Sequence, residues 1–170
     1  MGQNVLLSIA AVILLGSFLV AANGLLSDNM RIASEDEYIL TALTLEQSII
    51  DEVKTKAFDQ ATVSTPVNST SALSVPGIDG GESIPNPDVN PGSGFLSATK
   101  FNDVDDYNGY ARIVNTPRAG TFTLSVTVCY ASETSPDSAA AGKTFCKRMT
   151  VSATNPLLTA PVSLQYIFVY

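Results

Sequence analysis

The sequence predicts an α+β protein, with a long N-terminal α-helix followed by a C-terminal antiparallel β-sheet head. Three observations carry this. Residues 1–27 contain no Asp, Glu, Lys or Arg, and residues 29–58 contain neither Pro nor Gly while placing apolar side chains at helical spacing. The last third alternates apolar and polar residues with the period of a strand. Four segments result: an apolar transmembrane or self-packing helix over 1–27, its amphipathic continuation over 28–60, a Ser/Thr/Pro/Gly-rich surface loop over 61–100, and a sheet head with one disulfide over 101–170.

Charge and composition remove several function classes. Nine basic against sixteen acidic residues give a net charge of −7, which argues against nucleic acid and against an anionic membrane surface, because both need clustered Lys/Arg. The chain has no His, so Ser-His and Cys-His nucleophile pairs and imidazole metal sites are excluded. With no nucleophile motif and no phosphate-binding loop, the chain is not expected to be an enzyme.

A hydrocarbon core of ~30 Å needs about twenty apolar residues in helix, and residues 1–27 are long enough to span it. A cleaved secretory signal is the competing reading, with Val20 and Ala22 as small residues before a cut. However, the basic n-region is absent and the apolar run exceeds the ~7–15 residues of a signal core. Beyond it, Ile32, Ile39, Leu43, Ile50 and Val53 recur at helical spacing, widened by Leu40 and Ile49. Gly24 weakens a helix by roughly 1 kcal/mol without ending it, so residues 3–58 read as one helix some ~80 Å long at ~1.5 Å per residue. Its first half must sit in lipid or in a bundle of its own kind. The side chains expected to pack there are Val5, Leu6, Ile9, Ile13, Leu14, Phe18 and Leu25, with Ala10, Ser17, Ala21 and Gly24 as a small-residue face that lets helices approach closely.

Five of the nine prolines fall between residues 62 and 99, where the composition is that of a long exposed loop. Asn68-Ser-Thr matches a glycosylation acceptor, set against an unmodified loop. In TFTLSVTVCY, Phe122, Leu124, Val126, Val128 and Tyr130 share one face, and Cys129 lies on the other. Phe145, Met149 and Val151 form the apolar face of the next strand, leaving Cys146, Arg148 and Thr150 opposite. Both cysteines therefore point away from the core on neighbouring strands. A Cys129–Cys146 cross-strand disulfide, worth ~3 kcal/mol on the chain-entropy model, is expected. The final strand, VSLQYIFVY, is expected to bury Val162, Leu164, Tyr166 and Phe168 and to have its second face, Ile167 and Val169, covered. A head of three to four strands packed on the amphipathic half of the helix would satisfy both.

KFNDVDDYNGYARIV carries Asp103, Asp105 and Asp106 beside Asn102, Asn108 and Gly109. Carboxylates at this spacing can gather oxygen ligands for a hard cation such as Ca²⁺, the one cofactor the sequence suggests. The EF-hand pattern fails: Tyr107 stands where a third Asp or Asn belongs, Gly109 is one residue late, and no Glu closes the loop. The other reading is an Asx-rich turn whose side chains cap backbone groups and lead into a strand near Tyr110.

The order of helix, amphipathic continuation, loop, sheet and cysteine pair resembles a type IV pilin or pilin-like protein. FNDVDDYNGY is similar to the F-D-D-V-D-D-Y-x-G segment of minor pilins of the mannose-sensitive haemagglutinin class, through Phe101, Asp103, Val104, Asp105, Asp106, Tyr107 and Gly109, with Asn102 replacing an acidic residue. The resemblance implies a ladle-shaped subunit whose protruding half anchors it in the inner membrane before assembly and then packs in a filament core. It implies a homo-oligomeric helical filament outside the cell, delivered by pilus assembly machinery, with residues 62–99 facing outward and the cysteines stapling a surface hairpin. The family's fifth-position Glu is replaced by Val5, or by Leu7 if a leader ends at Gly2, leaving Gln3 and Asn4 to hydrogen-bond a buried terminus. The expected function is a structural subunit of such a filament. The alternatives are a secreted or membrane-anchored, adhesin-like binding domain and a pseudopilin of a secretion system.

Overall fold

Residues Gly2–Val53 form one helix, α1, through both Gly16 and Gly24. The computed structural model describes residues 2–79, 81–90 and 92–170; Met1, which begins the expected apolar segment 1–27, and Gly80 and Pro91, which fall in the expected loop, lie outside the described residues. The chain divides into two compact units, Met1–Tyr38 and Ile39–Tyr170.

The first unit is helix alone. An 18-residue window in α1 reaches a mean hydropathy of 2.7, so the helix is long and apolar enough to cross a membrane. Two hydroxyls of its charge-free part are satisfied locally: Ser8 donates to the Asn4 carbonyl and Ser17 to that of Leu14, both at 2.9 Å. Neither hydroxyl is left unpaired in an apolar surrounding.

In the second unit α1 buries Ala42, Glu46, Ile49, Ile50 and Val53, a stripe at i, i+4, i+7, i+8 and i+11. Two apolar residues assigned to that stripe are exposed instead, Ile32 at 52% and Leu40 at 64%. The helix stops at Val53, short of the expected residue 58. Past it the chain makes a hydrogen-bonded turn and then pairs elsewhere: Ala57 N–H donates to the Asn102 carbonyl, and the Ala57 carbonyl accepts from Val104 N–H, both at 3.0 Å.

The sheet has five strands in the order β1-β2-β3-β4-β5. Strands β2 (Ala111–Thr116), β3 (Gly120–Tyr130), β4 (Cys146–Thr154) and β5 (Val162–Val169) are antiparallel neighbours. The two-residue β1 (Asp88–Val89) runs parallel to β2, so the sheet is mixed, where the sequence suggested a purely antiparallel one. Phe122, Leu124, Val126, Val128 and Tyr130 of β3 and Met149, Val151 and Ala153 of β4 are buried, in the alternation read from the sequence. β5 departs from expectation. As an edge strand with one neighbour, it leaves Tyr166 37% and Val169 75% exposed, and none of its residues is fully buried.

The segment 61–100 is also less external than its composition implied. It contributes the buried residues Leu73, Asp88 and Ser97, the strand β1 and a single helical turn, α2 (Ser97–Lys100). Leu73 packs with Phe58 and Tyr130 in a cluster flanked by Val67, Ala140, Phe145 and Phe168.

Candidate functional site

The chemistry-bearing residues of the head are concentrated in its interior. Asp59, Asp103, Asp105, Asp106 and Lys147 are all fully buried. Lys147 occupies the inner face of β4, in line with Met149 and Val151. Its three N–H groups are taken up by the Phe58 carbonyl at 2.8 Å, Asp59 Oδ2 at 2.8 Å and Asp105 Oδ2 at 2.7 Å. Phe58 and Tyr130 rings flank it at 4.4 and 5.1 Å. A lysine with every donor satisfied inside the head is a structural fastening.

Asp59 is the better held of its two partners. Burial opposes its charge, but Lys147 and the N–H groups of Ser74 and Ala61 outweigh that and keep its carboxyl below the usual range. For Asp105 burial wins, in spite of Lys147 and the Ser74 hydroxyl at 2.7 Å, and the carboxyl is raised.

Asp103, Asp105 and Asp106 are brought together as expected, around a 3-10 turn at Asp105–Tyr107, but their carboxylates do different things. Asp103 Oδ1 accepts the N–H groups of Asp105 at 2.6 Å and Asp106 at 3.3 Å, an Asx turn. Asp106 Oδ2 accepts from Asn102 N–H at 2.9 Å and Asp103 N–H at 3.3 Å. Burial, then Asp106 and Asp105, push Asp103 up to about 7. The three therefore form a capped turn and not one common ligand set.

Asp106 instead joins two residues that the sequence reading passed over. One carboxylate oxygen from each of Asp79, Glu82 and Asp106 lies within 4.8 Å of the others. Burial and the neighbouring Asp106 push Glu82 up to about 7 and raise Asp79. The available signal was Asp79-Gly80-Gly81-Glu82, an acidic pair flanking a Gly-Gly dipeptide.

A second polar group sits beside β1. Arg112 of β2 donates to Glu52 at 2.7 Å, to the Tyr110 hydroxyl and to Ser97, while Tyr110 donates onward to Asp88 at 3.0 Å. It ties α1, β1, α2 and β2 together and reads as a fastening of the head.

The expected Cys129–Cys146 disulfide is not formed, and both cysteines are free thiols. They share one face of the sheet, but Cys146 is buried there where an outward-pointing side chain was expected; the β3–β4 register places Arg148 opposite Cys129, and Ala131 N–H bonds to the Cys146 carbonyl. The pair is diagonal, with the Arg148 guanidinium 3.8 Å from Cys129 Sγ. Burial, then Glu133, raise the Cys146 thiol. Asn68 is exposed just ahead of a 3-10 turn at Thr70–Ala72, a placement open to modification.

In the first unit, every residue named for self-packing, from Val5 to Leu25, is exposed, with Leu14 at 69% and Phe18 at 68%. No family model, curated protein or solved structure matches the chain.

Proposed function

We propose that this chain is a structural subunit of a type IV pilus-like extracellular filament, held in the inner membrane before assembly and polymerised by lateral packing of its N-terminal apolar helices. The observation that carries the reading lies in the first unit: a helix without charge up to residue 27, whose Val5, Leu6, Ile9, Ile13, Leu14, Phe18 and Leu25 side chains are all exposed. Each Leu, Ile, Val or Phe gains about 0.3–0.6 kcal/mol on entering a bilayer centre, so this surface is stable in lipid or against copies of itself and costly in water. Small residues at Ala10, Ser17, Ala21 and Gly24 allow close helix approach, and Gly24 leaves open space where a Cβ would stand.

The test is electron microscopy with N-terminal sequencing of material sheared from the cell surface. The reading requires helical polymers containing this chain with residues 3–27 present. A monomeric surface protein beginning near Asn23 would overturn it.

A further inference from the structure

Asp79 and Glu82 are brought together by a tight turn in which Glu82 N–H donates to the Asp79 carbonyl at 3.1 Å and Gly81 adopts a φ of +91°. Asn102 links this turn to Asp106, since its side-chain N–H₂ donates to Glu82 Oε1 and its backbone N–H to Asp106 Oδ2. Those bonds use one carboxylate oxygen of Glu82 and one of Asp106. Asp79 Oδ1, Glu82 Oε2, Asp106 Oδ1 and Asn102 Oδ1 are buried and accept no hydrogen bond among the described residues. Asp106 itself is fully buried.

Buried carboxylate oxygens without donors, gathered beside like charges, are costly unless something positive meets them. The head's own buried cations are committed elsewhere, Lys147 to Asp59 and Asp105 and Arg112 to Glu52. The donors on offer are three carboxylates and an amide carbonyl, all oxygen and all hard. Opposite ligands of a Ca²⁺ ion at about 2.4 Å stand about 4.8 Å apart, and one oxygen from each of the three carboxylates lies within 4.8 Å of the others.

We propose that Asp79, Glu82, Asn102 and Asp106 form a divalent cation site of the calcium class, fastening the 79–82 turn to the 102–106 turn. The site differs from the Asp103, Asp105, Asp106 set suggested by sequence spacing, and it does not depend on filament assembly. A proton shared between Glu82 and Asp106 is the other way to relieve the same repulsion, and it makes the opposite forecast for added Ca²⁺.

The experiment uses the full chain in detergent, stripped with EDTA and titrated with CaCl₂ at pH 7.5 by calorimetry, with thermal unfolding recorded in parallel. One saturable site per chain and a Tm that rises with Ca²⁺ are expected. Glu82→Gln and Asp79→Asn should each weaken Ca²⁺ affinity at least tenfold, while their Tm without Ca²⁺ stays equal to the parent's or rises, since each removes a like charge. The exposed control Asp51→Asn should leave affinity within twofold. Absence of saturable binding up to millimolar Ca²⁺, or unchanged affinity in both site variants, would overturn the proposal.

Discussion

The Lys147 ammonium lies 2.7 Å from the Asp105 carboxylate, and both side chains are wholly withdrawn from solvent. With Asp59 at 2.8 Å on the same nitrogen, one lysine balances two buried acids that come from different parts of the chain. Removing it leaves those acids uncompensated in a low-dielectric interior, which costs far more than the pair contributes when intact. Lys147→Met keeps the length of the side chain and loses only the charge and its hydrogen bonds. We expect a destabilisation of about 3–5 kcal/mol, read from urea unfolding of the full chain in detergent. A loss below about 1 kcal/mol would show that the acids find other compensation.

Glu46 is the other buried acid with a resolvable consequence. Its Oε1 accepts the Ala153 N–H at 2.9 Å while Oε2 is buried without a donor. Burial pushes the carboxyl up to about 7, the hydrogen bond offsetting only part of this. The fold therefore favours the protonated form. Its stability contribution is complete below the unfolded value of about 4.3 and is lost as pH rises through about 7. Glu46→Gln keeps an oxygen for Ala153 and cannot ionise. It should match the parent near pH 4 and exceed it by about 3–4 kcal/mol at pH 8. Thermal unfolding at the two pH values checks this; equal stability at both would show that the carboxylate ionises without penalty.

Glu46 also marks where local pattern stops being informative. The periodicities of α1, β3 and β4 were legible because each repeats over many residues. A glutamate at i+4 from Ala42, on the same face as Ile49, Ile50 and Val53, reads as a solvated residue until the sheet that donates to it is in place. Lys147 was hidden in the same way, inside the apolar alternation of Phe145, Met149 and Val151. The acidic cluster was legible as composition, but its partners Asp79 and Glu82 lie more than twenty residues upstream, in a stretch whose Gly and Pro content suggested only loop. β1 is two residues long, too short for any period, so the parallel pairing that makes the sheet mixed had no sequence signal. The disulfide was expected from the correct face and missed by register, a quantity set by how the intervening loop closes.

The cysteine register leads to a direct chemical forecast. Cys129 is half-buried beside Arg148, and Cys146 is buried with its thiol raised by burial. Maleimide labelling of the native chain without reductant should modify Cys129 quickly and Cys146 slowly, since the thiolate is the reactive form. Denaturation in the same buffer should bring the total to two labels per chain, read by intact mass. If neither thiol labels until a reductant is added, the two strands must shift enough to bring the diagonal pair into bonding distance.

Leu14 lies in the charge-free part of α1 and is 69% exposed, so it serves as a probe of what the first unit contacts. An arginine at the centre of a membrane helix costs about 2.5–3.5 kcal/mol on insertion scales, and at a packed helix–helix seam it adds an unpaired charge. Leu14→Arg should therefore leave the thermal unfolding of the head unchanged while reducing the membrane-bound fraction and abolishing filaments in sheared material. The two readouts separate the roles of the helix: loss of filaments with membrane retention intact would place Leu14 in the helix–helix seam. Normal filaments carrying the variant would mean that subunits are joined through some other surface.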